Sequence, residues 1–245
     1  MPIVVLSLLI QVALVIHILK TGRPRTWIWL VMILPVAGSI AYLVLELLPD
    51  FAGTRSGRKT MRKVQELVNP DRDLNSAAQN YQAAKTTENA SRLAQELLIK
   101  QQYSEAAILY RDCRKGIHEF DPLFMYGLAQ AEFGLAEYAK VKDLLDELIA
   151  RNPDYKNPDA HLLYARALEA LGDDYAALHE YEVLDSYYPG AEASYHFARL
   201  SKKLGQMERA LQVFEAILAK AKTSGSHYNE LHGKWVKLAA LELRS

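Results

Sequence analysis

The chain has 245 residues, with 29 basic and 29 acidic side chains and a formal net charge of zero. That balance excludes the basic excess on which nucleic-acid binding draws. A single cysteine, Cys113, excludes an internal disulfide. No Cys/His cluster has the spacing of a zinc site, so no metal or cofactor is expected.

In chain order, Pro2 to Leu19 is an apolar run of 18 residues with Ser7, Gln11 and His17 as its polar members. A short basic turn, Lys20 to Thr26, follows with Gly22 and Pro24. Trp27 to Leu48 is a second apolar run, of 22 residues. At helical rise both reach roughly 27–33 Å, against a bilayer core of about 30 Å. Pro35 and Gly38 suit a membrane helix better than a water-exposed one. Trp27 and Trp29 stand where an interfacial belt would lie. The expectation is a transmembrane hairpin over 1–49, with spans at about 2–19 and 27–48. Ala37, Gly38 and Ala41 would let the spans approach closely. Gln11 would find a hydrogen-bond partner near the depth of Pro35. Glu46 and His17 would lie at opposite faces, unpaired with each other. Two other readings stand beside this one. A cleaved signal lacks a basic residue before the run and a small-x-small site after it; the other is a buried soluble hairpin.

Lysine and arginine counts set the expected orientation. The turn carries Lys20, Arg23 and Arg25; the segment after the second run carries Arg55, Arg58, Lys59, Arg62 and Lys63. The larger cluster predicts both termini inside and a multi-pass protein of the cell (inner) membrane. The lipid bilayer is then one partner, and the rest of the chain is cytoplasmic. The second run also carries a resemblance. Trp27 or Trp29, then Leu34-Pro35, Gly38 and Tyr42, after a basic turn, resembles the phospholipase D-nuclease N-terminal domain. That two-helix membrane module stands at the front of cardiolipin synthases. The likeness covers about residues 3–48 and implies an anchor without catalytic residues.

Residues 50–87 read as a basic and polar linker. Asp50 to Gly57 is a flexible exit, Lys59 to Val68 a helix ended by Asn69-Pro70, and Asp71 to Lys85 a second short helix.

From about residue 88 the chain repeats itself. Unit one has Ala94, then Tyr103, Ala106 and Tyr110. Unit two has Gly127, Gly134 at the turn, Val141, Leu145 and Pro153. Unit three has Ala165, Gly172, Ala177, Tyr181 and Pro189, and unit four Ala198, Gly205, Ala210, Phe214 and Ile217. Ala106, Val141, Ala177 and Ala210 are spaced 35, 36 and 33 apart. This resembles the tetratricopeptide repeat, with its period of about 34 residues. The fit needs an extra residue after Gly134. Asp121-Pro122 and Asn157-Pro158 read as N-cap and N1 pairs that start first helices. Tyr228 to Leu243 reads as an amphipathic capping helix.

The sequence thus predicts an all-α chain: a two-helix transmembrane hairpin, then an α-solenoid over 88–245 of about four helix-turn-helix units with a C-terminal capping helix. The resemblance implies a groove lined by first helices. Its residues would be Phe124, Leu128, Leu162, Arg166, Glu169, Tyr195, Arg199, Lys202 and Lys203. The basic end of that set suits an acidic or C-terminal peptide. Ser91 and Gln95 stand where chaperone-binding repeats carry a lysine/asparagine clamp, so that partner is not expected. The two His-x-Lys-x4-Asp motifs of phospholipase D enzymes are missing, since only His232-Gly-Lys234 occurs, with Ala239 in place of the aspartate. No phosphate loop or nucleophile elbow is present, and His161, His179 and His196 read as surface or packing residues of the repeat helices. The expected function is a membrane-anchored scaffold without catalysis that holds a protein or peptide partner. The alternative is an accessory factor of phospholipid or cell-envelope biosynthesis acting through its hairpin.

Overall fold

The computed structural model describes residues 2–22, 24, 26–43, 46 and 69–244. Arg23, Arg25, the basic cluster Arg55 to Lys63 and the expected helix 59–68 lie outside the described residues. The chain divides into two units, residues 1–72 and 73–245.

In the first unit α1 is Pro2–Thr21, α2 is Thr26–Ile33 and α3 is Pro35–Tyr42. Among the described residues the expected second span holds two α-helices of eight residues, each about 12 Å long. The chain bends at Leu34, because Pro35 has no N–H to continue the helix. Gly38 lies so close to Leu30 that a Cβ there would run into the Leu30 carbonyl. The glycine thus admits the neighbouring turn of its own run. Within α1 the polar side chains of Gln11, His17 and Lys20 interrupt the apolar run. Among the described residues no helix is long and apolar enough to cross a membrane. That overturns the expected pair of membrane spans and, with it, the multi-pass membrane location.

The three helices pack on Leu14, Ile18, Val31 and Tyr42, with Trp27 and Ile28 at the edge. His17 Nδ1 lies 3.0 Å from the Tyr42 hydroxyl. Trp27 Nε1 donates to Glu46 at 3.0 Å. Gln11 and Ala41 are half-buried, Gly38 is buried and Ala37 is exposed. Trp29, Met32 and Ile33 remain largely exposed.

In the second unit the expected polar helix is α4, Arg72–Ala83. Four helix pairs follow: α5 (Thr87–Ile99) with α6 (Tyr103–Cys113), α7 (Pro122–Gly134) with α8 (Tyr138–Arg151), α9 (Pro158–Ala170) with α10 (Asp174–Tyr187), and α11 (Glu192–Lys203) with α12 (Met207–Thr223). The last helix is α13, Ser226–Glu242. No strand occurs among the described residues. Asp121 and Asn157 cap α7 and α9 as expected: each side chain accepts from backbone N–H groups of the first turn, with proline at N1.

The core repeats with the sequence. Ala94, Ala165 and Ala198 are fully buried, and so are Ala106, Val141, Ala177 and Ala210. Small side chains at these positions bring the two helices of a pair close. The ring above fills the space left: Tyr110, Tyr181 and Phe214 are at most 2% exposed. At Gly127 any Cβ would strike the Tyr110 ring.

The turn inside each pair has one geometry. Gln101, Ala136, Gly172 and Gly205 all have positive φ. The next residue in each case donates its N–H five residues back, to Leu97, Glu132, Leu168 and Ser201. This is the Schellman ending of a helix. The four turn residues repeat the 35, 36 and 33 spacing of the second helices. Gly134 is therefore the last helical residue of α7, beneath the Tyr103 ring. The turn residue of unit two is Ala136, and no inserted residue is needed. A left-handed alanine is strained by about 1 kcal/mol. Ala136→Gly should raise stability by about 0.5–1 kcal/mol, read as an increased urea midpoint with unchanged slope. An unchanged or lowered midpoint would remove the strain.

Candidate functional site

First helices of neighbouring pairs touch at α5 with α7 and α7 with α9, the last helix α13 touches α11, and ion pairs join α9 to α11. They form one face of the repeat unit, and the expected groove residues lie on it or just beneath it. Phe124, Leu128, Leu162 and Tyr195 are at most 7% exposed and belong to the core between helices. The charged members all carry internal partners. Arg199 of α11 pairs with Glu169 of α9, which also accepts from the Tyr181 hydroxyl at 3.0 Å. Arg166 lies 3.9 Å from Glu192 and 4.7 Å above the Phe133 ring. Lys202 bonds Glu242 at 2.9 Å and Lys203 bonds Asp174 at 2.7 Å. The basic end of this face is thus matched by carboxylates of the same chain.

The capping helix closes this end. Trp235 of α13 sits 5.4 Å from the Tyr195 ring and 5.2 Å from His196. His196 also stacks on Tyr181 at 5.4 Å. Burial, followed by Arg199, Arg166 and Lys234, holds the His196 pKa down at about 3. Its ring is neutral at ordinary pH.

At the other end of the face a cavity of about 440 Å³ opens between α5 and α7. Ser91, Arg92 and Gln95 line one wall, Leu123 and Phe124 the other, with Thr87, Glu88 and His118 around them. Leu123 is half exposed, and Ile117 in the α6–α7 connection is almost wholly exposed.

A larger cavity, about 660 Å³, lies where α8, α9 and α10 meet. Its floor is Leu145, Leu148, Ile149 and Ala160; Tyr155, Tyr164 and Tyr187 form walls; Asp146, Lys156, His161 and Glu180 stand among them. The α8–α9 connection is pinned: Asn157 caps α9 and donates its side-chain N–H to the Tyr155 hydroxyl at 2.8 Å. His161 bridges the Tyr187 hydroxyl and Glu180. The histidine holds the Glu180 carboxyl below its usual range, against the opposing effect of burial. Sequence reading treats His161 as a packing residue and does not find this cavity. Its one local trace is the tyrosine-bearing connection Asn152 to Asn157. Among the described residues no group of three or more His, Cys, Asp or Glu is placed to hold a metal ion.

No protein-family model matches the sequence, and no curated protein matches it. Solved structures do match. The crystal structure of MamA aligns with TM-score 0.52 and 20% identity over 61% of this chain and 86% of that one. A thermophilic TPR protein of Thermus thermophilus, TTC0263, aligns with TM-score 0.52 and 16% identity over 75% of this chain and 96% of that one. TPR-like repeats of a putative kinesin light chain from Podosopora anserina align with TM-score 0.51 and 18% identity, over 64% and 82%. The fold is a tetratricopeptide-type solenoid. All three matches stop short of this chain's full length, and none supports the resemblance of residues 3–48 to the phospholipase D-nuclease N-terminal hairpin.

His196 gives the repeat unit a pH dependence. The unfolded chain protonates it near pH 6.5, whereas the folded chain holds it neutral to about pH 3. Between those values the unfolded state binds more protons, so stability falls as the pH drops. Burial also lowers His232, which acts in the same direction. Burial raises Glu192, which acts in the opposite one. The urea midpoint should decline from pH 6.5 to 4.5, and His196→Phe should flatten that decline. A variant with the wild-type slope would assign the dependence elsewhere.

Proposed function

We propose that the repeat unit is a non-catalytic scaffold that holds an extended segment of a protein partner along the face formed by its first helices. The observation that carries this reading is the 440 Å³ cavity between α5 and α7, where that face is open. Ser91, Arg92 and Gln95 offer hydrogen-bonding groups to a peptide backbone, and Leu123 and Phe124 offer an apolar seat. From there the segment continues past Arg166 and Glu169 toward Arg199, Lys202 and Lys203.

The internal ion pairs narrow the partner. A strongly acidic peptide would have to displace Glu169, Glu192, Glu242 and Asp174 from their cations, exchanging one partly exposed ion pair for another beside a displaced like charge. A segment of mixed or neutral character with one apolar anchor avoids that exchange. The fold neighbours support the class of function, since helical repeats of this type generally serve as protein-interaction scaffolds.

Site-specific photocrosslinking tests the reading. A benzophenone side chain at exposed Gln95 should trap the partner in cells, and one at Glu215 on α12 should not. Leu123→Glu should reduce trapping at Gln95 about tenfold or more, the effect of burying an unpaired carboxylate at an interface. Equal trapping at Gln95 and Glu215, or indifference to Leu123→Glu, would refute the α5–α7 site.

A further inference from the structure

Of the three seams between second helices of successive pairs, arginines of the chain itself bridge two. At the α6–α8 seam Arg114, at the end of α6, bonds Glu147 at 3.0 Å. At the α10–α12 seam Arg209 pairs with Glu182 and lies 4.6 Å over the Phe197 ring. In each case a guanidinium from one helix meets a glutamate of the neighbouring second helix. At the α10–α12 seam it also covers an aromatic face, the combination that a planar guanidinium satisfies best.

The middle seam, between α8 and α10, is different. Among the described residues no ion pair joins these two helices, and the 660 Å³ cavity opens there instead. The carboxylates and rings are present: Asp146 from α8, Glu180 from α10, and Tyr155, Tyr164 and Tyr187 around them. Of the basic groups nearby, two are committed and Lys156 lines the cavity itself. Lys142 bonds Asp146 at 2.7 Å from the same helix, His161 bonds Glu180, and Lys156 stands in the connecting loop. Each carboxylate has about four lone-pair sites, so these bonds leave acceptor capacity for a further donor. The floor of Leu145, Leu148 and Ile149 suits an aliphatic stem. The loop hydrogen bonds of Tyr155 and Asn157 hold the walls in place before any ligand arrives.

We propose that this cavity receives an arginine side chain from a partner chain, whose guanidinium stacks on the tyrosines and bonds Asp146 and Glu180. The partner thereby completes the middle seam in the way Arg114 and Arg209 complete the other two. The site lies apart from the first-helix face, and it stands or falls independently of the scaffold reading above.

Titration of the full-length chain with the blocked tripeptide acetyl-Leu-Arg-Leu-amide, followed by methyl and aromatic NMR signals, tests this. Shifts should centre on Ile149, Leu148, Tyr164 and Tyr187 and should saturate. The citrulline peptide, equal in shape but uncharged, should bind about tenfold more weakly. The lysine peptide should also be weaker, because an ammonium cannot stack or bond both carboxylates in one plane. Asp146→Asn and Glu180→Gln should each weaken the arginine peptide severalfold and leave the citrulline peptide unchanged. The comparison of peptides on the unaltered chain keeps the test valid should either variant misfold. Equal binding of arginine with citrulline or with lysine, shifts centred elsewhere, or no saturation by about 10 mM would each overturn the proposal.

Discussion

The repeat unit depends on close approach of two helices through small side chains. Ala94, Gly127, Ala165 and Ala198 on the first helices and Ala106, Val141, Ala177 and Ala210 on the second leave no bulk between the axes. Each pair can then bury a large side chain above the contact, Tyr110, Leu145, Tyr181 or Phe214 in turn, and stacking of pairs yields a continuous core. The core clusters follow this scheme from Ala90 to Ala239, passing through each helix pair in turn. Because every layer uses the same small-to-large arrangement, the turn between helices also repeats. Two units supply glycine at the left-handed position, and two tolerate Gln101 and Ala136 there.

Electrostatics has a different logic. The face of the first helices is rich in charge, yet its arginines and lysines are bonded to carboxylates of adjacent helices. Such pairs hold successive repeats in register more than they add stability, since partly exposed ion pairs contribute only about 0–1 kcal/mol each. Their consequence is chemical: this surface offers a partner a matched field rather than a basic one. No ion pair among the described residues joins α8 to α10, and a cavity of about 660 Å³ opens where they meet α9.

Legibility in the sequence follows the range of the forces involved. Helix starts at Asp121-Pro122 and Asn157-Pro158 are readable because a cap acts within three residues. The buried face of each repeat helix is readable from its periodicity. The turn of unit two is misplaced at Gly134, because glycine composition suggests a turn where the actual left-handed residue is an alanine. The hairpin reads as two spans from apolar length, from Pro35 and Gly38, and from the placing of Trp27 and Trp29. The break at Pro35 and the approach of Gly38 to Leu30 make the second run two short helices. The internal pairing of Arg166, Arg199, Lys202 and Lys203 is not legible, nor is the cavity around His161.

By itself the sequence determined the helical class, the repeat spacing, the capping helix and which small and aromatic residues form the core. These are written in local propensity and in periods of a few residues. Only the tertiary structure decided which charges meet and where cavities open between the helices. Arg199 and Glu169 are 30 residues apart, and Lys202 and Glu242 are 40 apart. Whether such side chains touch depends on how two neighbouring helices cross, which no spacing within either helix encodes.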